Sequence, residues 1–135
     1  MTGNQGEARW PESRKLASLD PDFRRKVERI LAQLRSEFGA DSIKLFYAWR
    51  SPATQAWLAA KGTGLAEGSK HVRTVDSRPA SLAADIVHRT GWEGPQAEAV
   101  FRRLGELADQ EQLRWGGNWS GKSYDPAHIE APTWT

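Results

Sequence analysis

The sequence predicts an α+β protein, a small and mainly antiparallel sheet with helices packed on one side. Three observations predict it. Apolar residues recur at helical spacing in two long segments, residues 20–39 and 94–108. Four shorter stretches are bulky enough to be strands. The last two strands are short and lie among tight glycine turns, which favours antiparallel pairing over helical crossovers. The 135 residues fit one domain, with a flexible polar N-terminus over 1–10 and a single domain over 11–135. A chain of this length buries enough surface to fold without a disulfide or metal staple.

The elements follow in order. A short helix is expected near Pro11, carrying Leu16 and Leu19. Asp20 is a good N-cap and Pro21 a good first-turn residue. Phe23, Val27, Ile30, Leu31, Leu34 and Phe38 then form one apolar stripe, which Gly39 ends. Arg24, Arg25, Lys26, Glu28 and Arg29 read as its solvated face. Ile43 to Trp49 reads as a strand with Ile43, Leu45, Tyr47 and Trp49 on one side. Ser51-Pro52 starts a second helix that reaches about Lys61, and Gly62, Gly64 and Gly68 mark a loop. Residues 72–81 read as an irregular excursion, and Leu82 to Val87 as the next strand. Gly94-Pro95 opens a third helix with Ala97, Val100, Phe101, Leu104, Leu107 and Ala108 on its buried stripe. Leu113 to Trp115 and Ala127 to Glu130 complete the strands.

Composition excludes several classes. Lys plus Arg is 19 against 17 for Asp plus Glu, so no polybasic nucleic-acid arm dominates. No apolar run approaches the roughly 20 residues of a membrane span. Met1 to Arg9 is polar and does not read as a Sec signal peptide. With no cysteine, disulfides, thiolate metal sites and a Cys nucleophile are all excluded. Any metal must be held by Asp, Glu and the three histidines His71, His88 and His128. No phosphate-cradling glycine loop, no GxSxG elbow and no HExxH helix is present.

Three polar groups remain at strand ends or loops. Ser69-Lys70-His71 leaves the glycine-rich loop. Asp85 is a lone carboxylate within Leu82-Ala83-Ala84-Asp85-Ile86-Val87. Asp125-Pro126-Ala127-His128-Ile129-Glu130 lies near the end of the chain. A carboxylate in an apolar strand is costly to bury unless it is paired or ligates a metal. An ion pair with an arginine is the plain reading of Asp85, and a structural role the plain reading of His88. Two neutral imidazoles and one carboxylate also form a ligand set that suits Zn²⁺ and leaves a position for water. A second carboxylate nearby supplies a base for hydrolysis, with Asp125 and Glu130 both candidates.

The sequence resembles the zinc D-alanyl-D-alanine carboxypeptidase and L-alanyl-D-glutamate endopeptidase family, especially its single-domain phage endolysins. Tyr47-Ala48-Trp49-Arg50-Ser51-Pro52 leading to Gln55 resembles that family's Tyr-Arg-Ser stretch. Ser69-Lys70-His71 with Ser81-Leu82-Ala83-Ala84-Asp85 resembles its split Ser-x-His…Ala-x-Asp motif. Arg114-Trp115-Gly116-Gly117-Asn118-Trp119 and Asp125-Pro126-Ala127-His128-Ile129-Glu130 resemble its Trp-Gly-Gly-Asp-Trp and Asp-x-x-His-x-Glu.

The resemblance implies the DD-peptidase/hedgehog-like fold, with Zn²⁺ held by His71, Asp85 and His128. It implies Asp125 as the general base and Arg50 as the group that stabilises the oxyanion. Ser69, Glu130, Trp115 and Gln55 are implied to bind substrate or to support a ligand. The implied activity is hydrolysis of a bond in the peptidoglycan stem peptide, foremost L-Ala–D-Glu. The alternatives are a D-Ala–D-Ala carboxypeptidase or dipeptidase, and a non-catalytic zinc-binding wall module. The expected partner is the stem peptide alone, for a monomer made in the cytoplasm without a signal peptide and released to the wall by a holin or by lysis. Two departures stand out. His71 and Asp85 are separated by an insertion of residues 72–80, which leaves Asp76 as a rival ligand, and Asn118 replaces the usual Asp.

Overall fold

Asp20 caps the first long helix as expected. Its Oδ2 accepts from the backbone N–H groups of Asp22 and Phe23, each at 3.1 Å, which satisfies two donors that the first turn leaves orphaned. The computed structural model describes residues 14–49, 56–57, 60 and 70–132. Helix α1, Pro21–Phe38, ends at Gly39 with φ +111°, a conformation that a side chain would strain. It buries Phe23, Val27, Ile30, Leu31 and Leu34. Helix α2, Pro95–Gln110, buries Ala97, Val100, Phe101, Leu104, Leu107 and Ala108, the stripe read from the sequence.

The strands are β1 (Ile43–Tyr47), β2 (Thr74–Val75), β3 (Arg78–Pro79), β4 (Ala83–His88), β5 (Arg114–Trp115) and β6 (His128–Glu130). Four of them form one sheet in the order β1-β4-β6-β5, and every pairing in it is antiparallel. The α+β architecture is therefore the one expected. Both helices cover one face, where Leu31, Leu34, Val100 and Leu104 join Ile43, Ala84, Ile86 and Ile129 in the main core. Strand β4 lies between β1 and β6, and all six of its residues are buried. Among the described residues no helix is long and apolar enough to cross a membrane.

Some expectations need correction. The expected helix near Pro11 is a single 3₁₀ turn, Leu16–Ser18, with Pro11 itself outside the described residues. Of the helix expected from Ser51 to Lys61, Ala56, Trp57 and Ala60 are helical and the rest lies outside the described residues. Strand β1 does not keep one alternation to Trp49. Its register with β4 shifts between Leu45 and Tyr47, as a bulge does. Ile43 and Leu45 face the main core, whereas the Tyr47 ring packs edge-on against Phe46 at 4.8 Å. The excursion at 72–81 is also more regular than expected. Strands β2 and β3 pair Thr74 with Pro79 and Val75 with Arg78. Asp76 and Ser77 join them with φ of 53° and 63°, which is the type I′ signature of a two-residue hairpin.

One packing detail links the core to the chain end. The Trp115 indole is wedged between helix α2 and the turn that follows β5. A Cβ on Gly105 would lie 2.5 Å from the indole, and a Cβ on Gly117 would overlap it. The indole Nε1–H donates to Pro126 O at 2.7 Å, so the ring cannot slide away without losing that bond. Replacing Gly105 by alanine gains about 1 kcal/mol of helix propensity, but overpacking costs about 1–3 kcal/mol. With the ring held on both sides, overpacking wins. Gly105→Ala and Gly117→Ala are each expected to lower the unfolding free energy by about 1–3 kcal/mol in urea denaturation.

Candidate metal centre

The centre is assembled by strand register. Antiparallel pairing of β4 with β6 sets Asp85 opposite His128, and the bulge in β1 sets Tyr47 opposite Asp85. His71 enters from a 3₁₀ turn, Lys70–Val72. Its Nδ1 lies 3.1 Å from the carbonyl of Ala48, just beyond β1. The three side chains His71, Asp85 and His128 are buried, and each offers a donor atom within 4.8 Å of the others.

Hydrogen-bond chemistry makes this cluster unusual. Asp85 Oδ1 lies 3.2 Å from His71 Nε2 and 3.0 Å from His128 Nδ1. The far nitrogens also face oxygens, His71 Nδ1 towards Ala48 O and His128 Nε2 towards Glu130 Oε1 at 2.8 Å. A carbonyl or an ionised carboxylate can only accept, and a neutral imidazole carries one N–H. Two neutral rings thus supply two protons for four contacts. The deficit is met by protonating both rings or by a cation seated against Asp85. With a cation there, the outer contacts to Ala48 O and Glu130 would fix the tautomers, and His71 Nε2 and His128 Nδ1 would offer it their lone pairs beside Asp85. Two nitrogens and one oxygen so arranged fit Zn²⁺. With usual bond lengths the edge of a tetrahedral zinc shell is about 3.3 Å, close to the two separations from Asp85.

The electrostatics carry the same signature. Burial opposes ionisation of Asp85, but the two imidazoles outweigh it and hold its carboxyl well below the usual carboxylate range. Burial likewise opposes a charge on His128. Hydrogen bonds to Asp85 and Glu130, with the nearby Asp85 and Asp125 charges, raise it to about 9. Burial pushes Glu130 up, yet His128 and Lys70 bring it down to about 2.

The other expected residues are placed as follows. Asp125 is half-buried in the turn before β6. Its N–H donates to Gly116 O at 3.0 Å, and its carbonyl accepts from His128 N–H at 3.1 Å. Glu130 supports His128 directly. Trp115 binds the backbone at Pro126, two residues before His128. Asp76 sits exposed at the hairpin tip and does not join the cluster. His88 is buried at the end of β4, with Nδ1 2.7 Å from Thr90 Oγ1. Arg50, Gln55 and Ser69 lie outside the described residues.

Two neighbours were not singled out from the sequence. The Trp119 ring lies 5.3 Å from that of His128, and the Trp-Gly-Gly-Asn-Trp motif was its only signal. Lys70 donates to Glu130 Oε2 at 2.7 Å and to Ala131 O at 2.6 Å, which its place beside His71 did not disclose.

A buried two-histidine, one-aspartate cluster on a small antiparallel sheet is a group that could hold a metal ion, and the comparisons point to a peptidase family. A family model of M15-type peptidases, described as D-alanyl-D-alanine carboxypeptidase, matches residues 63–131. That is more than half of the chain and contains the whole cluster, and the chain belongs to this family. The L-Ala D-Glu endopeptidase ChiX of Serratia marcescens is similar in structure, with a TM-score of 0.58 and 20% sequence identity over 86% of this chain and 82% of that one. At that identity the likeness is one of fold. No curated protein matches the chain.

The pairings imply a pH window for the metal-free protein. His128 is raised from 6.5 to about 9, so its contribution is fully present below pH 6.5 and is lost as pH rises through 9. Glu130 is lowered from 4.5 to about 2, so its contribution is present above pH 4.5 and is lost as pH falls towards 2. Chelator-treated protein is expected to be most stable between these limits in thermal melts across pH 3–10. Stability that kept rising from pH 6.5 to 9 would contradict the pairing of His128.

Proposed function

We propose that the protein is a zinc-dependent peptidoglycan peptidase that hydrolyses a stem-peptide bond, foremost L-Ala–D-Glu, in the manner of an endolysin. The observation that carries this reading is the convergence of His71, Asp85 and His128 with their outer nitrogens already held. Family membership supplies the peptidase chemistry.

In this reading His71 Nε2, His128 Nδ1 and Asp85 hold the metal. Zinc held by these three residues would supply Lewis-acid polarisation of a carbonyl and a water of lowered pKa. Asp125 takes a proton from the attacking water and returns it to the leaving amine. Asp125 is half-buried in the turn three residues before His128, and its charge acts on that imidazole, which supports the assignment. Arg50 is assigned to the developing oxyanion, a role its planar array of donors suits. The Trp119 ring packs beside His128, where it is placed to touch a bound substrate. Cleavage of D-Ala–D-Ala is the second reading, favoured by the description of the matching family.

Mass spectrometry of digested cell wall, with and without a chelator, tests the bond and the metal together. The expected product carries a new D-Glu amino terminus, and the chelator abolishes it; release of terminal D-Ala instead would select the second reading. His71→Ala and His128→Ala are each expected to lose both metal and hydrolysis. Asp125→Ala is expected to keep stoichiometric zinc and lose about 10²–10⁴-fold in turnover. Near-full activity in Asp125→Ala would move the base to Glu130.

A further inference from the structure

Lys70 joins the three segments that carry the cluster. In the chain it precedes His71. Its carbonyl accepts from the N–H of Leu82 at 3.1 Å, where β4 and Asp85 begin. Its ammonium donates to Glu130 Oε2 and to the carbonyl of Ala131, at the end of the strand that carries His128. Only 11% of the Lys70 side chain is exposed, and 12% of that of Glu130. A charge pair this sheltered is screened far less than a surface pair.

From these contacts we infer that Lys70 is a positioning residue for the metal site, acting through Glu130 on the His128 imidazole. The inference rests on the metallopeptidase reading. Glu130 uses one oxygen for each neighbour, Oε1 for His128 Nε2 and Oε2 for Lys70 Nζ. The second acceptor of Lys70, Ala131 O, is backbone and fixes where the ammonium can sit. Lys70 therefore sets the position of the carboxylate, and the carboxylate sets the tautomer and tilt of the ring. With Nε2–H committed to Glu130, Nδ1 is the nitrogen left to offer its lone pair to a metal beside Asp85. Among the described residues the other cation near Glu130 is Arg114, whose Nη1 is 3.8 Å from Oε2 on a side chain 52% exposed. It is too distant for a hydrogen bond and does not take over the role. Loss of Lys70 leaves Glu130 free to turn towards solvent, and the His128 ring loses its tether.

The test uses Lys70→Met, which keeps the length of the side chain and removes its donors, with Lys70→Arg as the conservative control. Zinc affinity is read by competition with a chromogenic chelator, and site symmetry by the visible spectrum of the Co²⁺-substituted protein. Lys70→Met is expected to weaken zinc binding about 10–100-fold, the usual effect of losing an outer partner of a ligand. Its Co²⁺ spectrum is expected to shift, while Lys70→Arg recovers most of both. Glu130→Gln supplies a second arm. If Lys70 acts through Glu130, the double variant binds zinc little worse than the weaker single variant. Melts of the chelator-treated variants confirm that they fold, and if Lys70→Met does not, Lys70→Arg and Glu130→Gln carry the comparison. Wild-type zinc affinity and Co²⁺ spectrum in Lys70→Met, or strictly additive losses, overturn the inference alone. A wild-type chain that binds no zinc overturns it together with the metallopeptidase reading.

Discussion

The structure turns on a shortage of protons around one carboxylate. Asp85 sits in a strand whose residues are all buried, and its Oδ1 is approached by two imidazole nitrogens at 3.0 and 3.2 Å. Each ring is held from behind by another acceptor. Taking an ion of this kind out of water costs several kcal/mol, and the two imidazoles offset that cost at Asp85. The cluster is therefore suited to hold added positive charge. A divalent cation does this with one particle and satisfies three ligands at once. Two protons give the same charge but leave two cations side by side, with ring centroids 5.1 Å apart.

Sheet topology explains why the three side chains meet. Their order in the chain is His71, Asp85, His128, with long intervals. Asp85 and His128 become neighbours because β4 and β6 pair directly, and antiparallel register places them opposite each other. A slip of one residue would turn Asp85 into the helix-covered core. The bulge in β1 then brings the Ala48 carbonyl to His71. Helices α1 and α2 take no direct part. Their burial of Leu34, Val100 and Leu104 holds the strands in register, and Ala97 and Phe101 of α2 pack with Val87, two residues beyond Asp85.

Both long helices were legible in the sequence because their signals are local. Cap, apolar period and terminal glycine all lie within one element in α1, and α2 carries the first-turn proline and the apolar period. Asp85 was legible for a different reason, since a carboxylate in an apolar run is an anomaly that needs a partner. The hairpin at 72–81 was not legible. Neither Asp76 nor Ser77 is glycine, yet both take positive φ, so the usual turn signal was missing. The bulge was equally hidden, because it depends on what β4 offers opposite Leu45 and Tyr47. The role of Lys70 lies in bonds to residues 60 and 61 positions away, which no local pattern can display.

The long spacing between His71 and Asp85 now has a physical account. Distance along a chain matters to a site only if the intervening residues must be stretched or strained to place its ends. Here they close on themselves. Ala80 N–H donates to Arg73 O at 2.9 Å, and Leu82 N–H to Lys70 O at 3.1 Å. The Arg73 guanidinium reaches Ala80 O at 3.0 Å and the Asp20 cap at 3.3 Å. Ser81 is bonded on both sides to the residues that lead into α1, through its N–H to Ser18 O and through its carbonyl from Asp20 N–H. The insertion is thereby sealed at its base, and its tip bears no load from the cluster. Extra loop length costs little free energy once the ends are joined. A segment tied off in this way can differ in length or sequence while His71 and Asp85 keep their places.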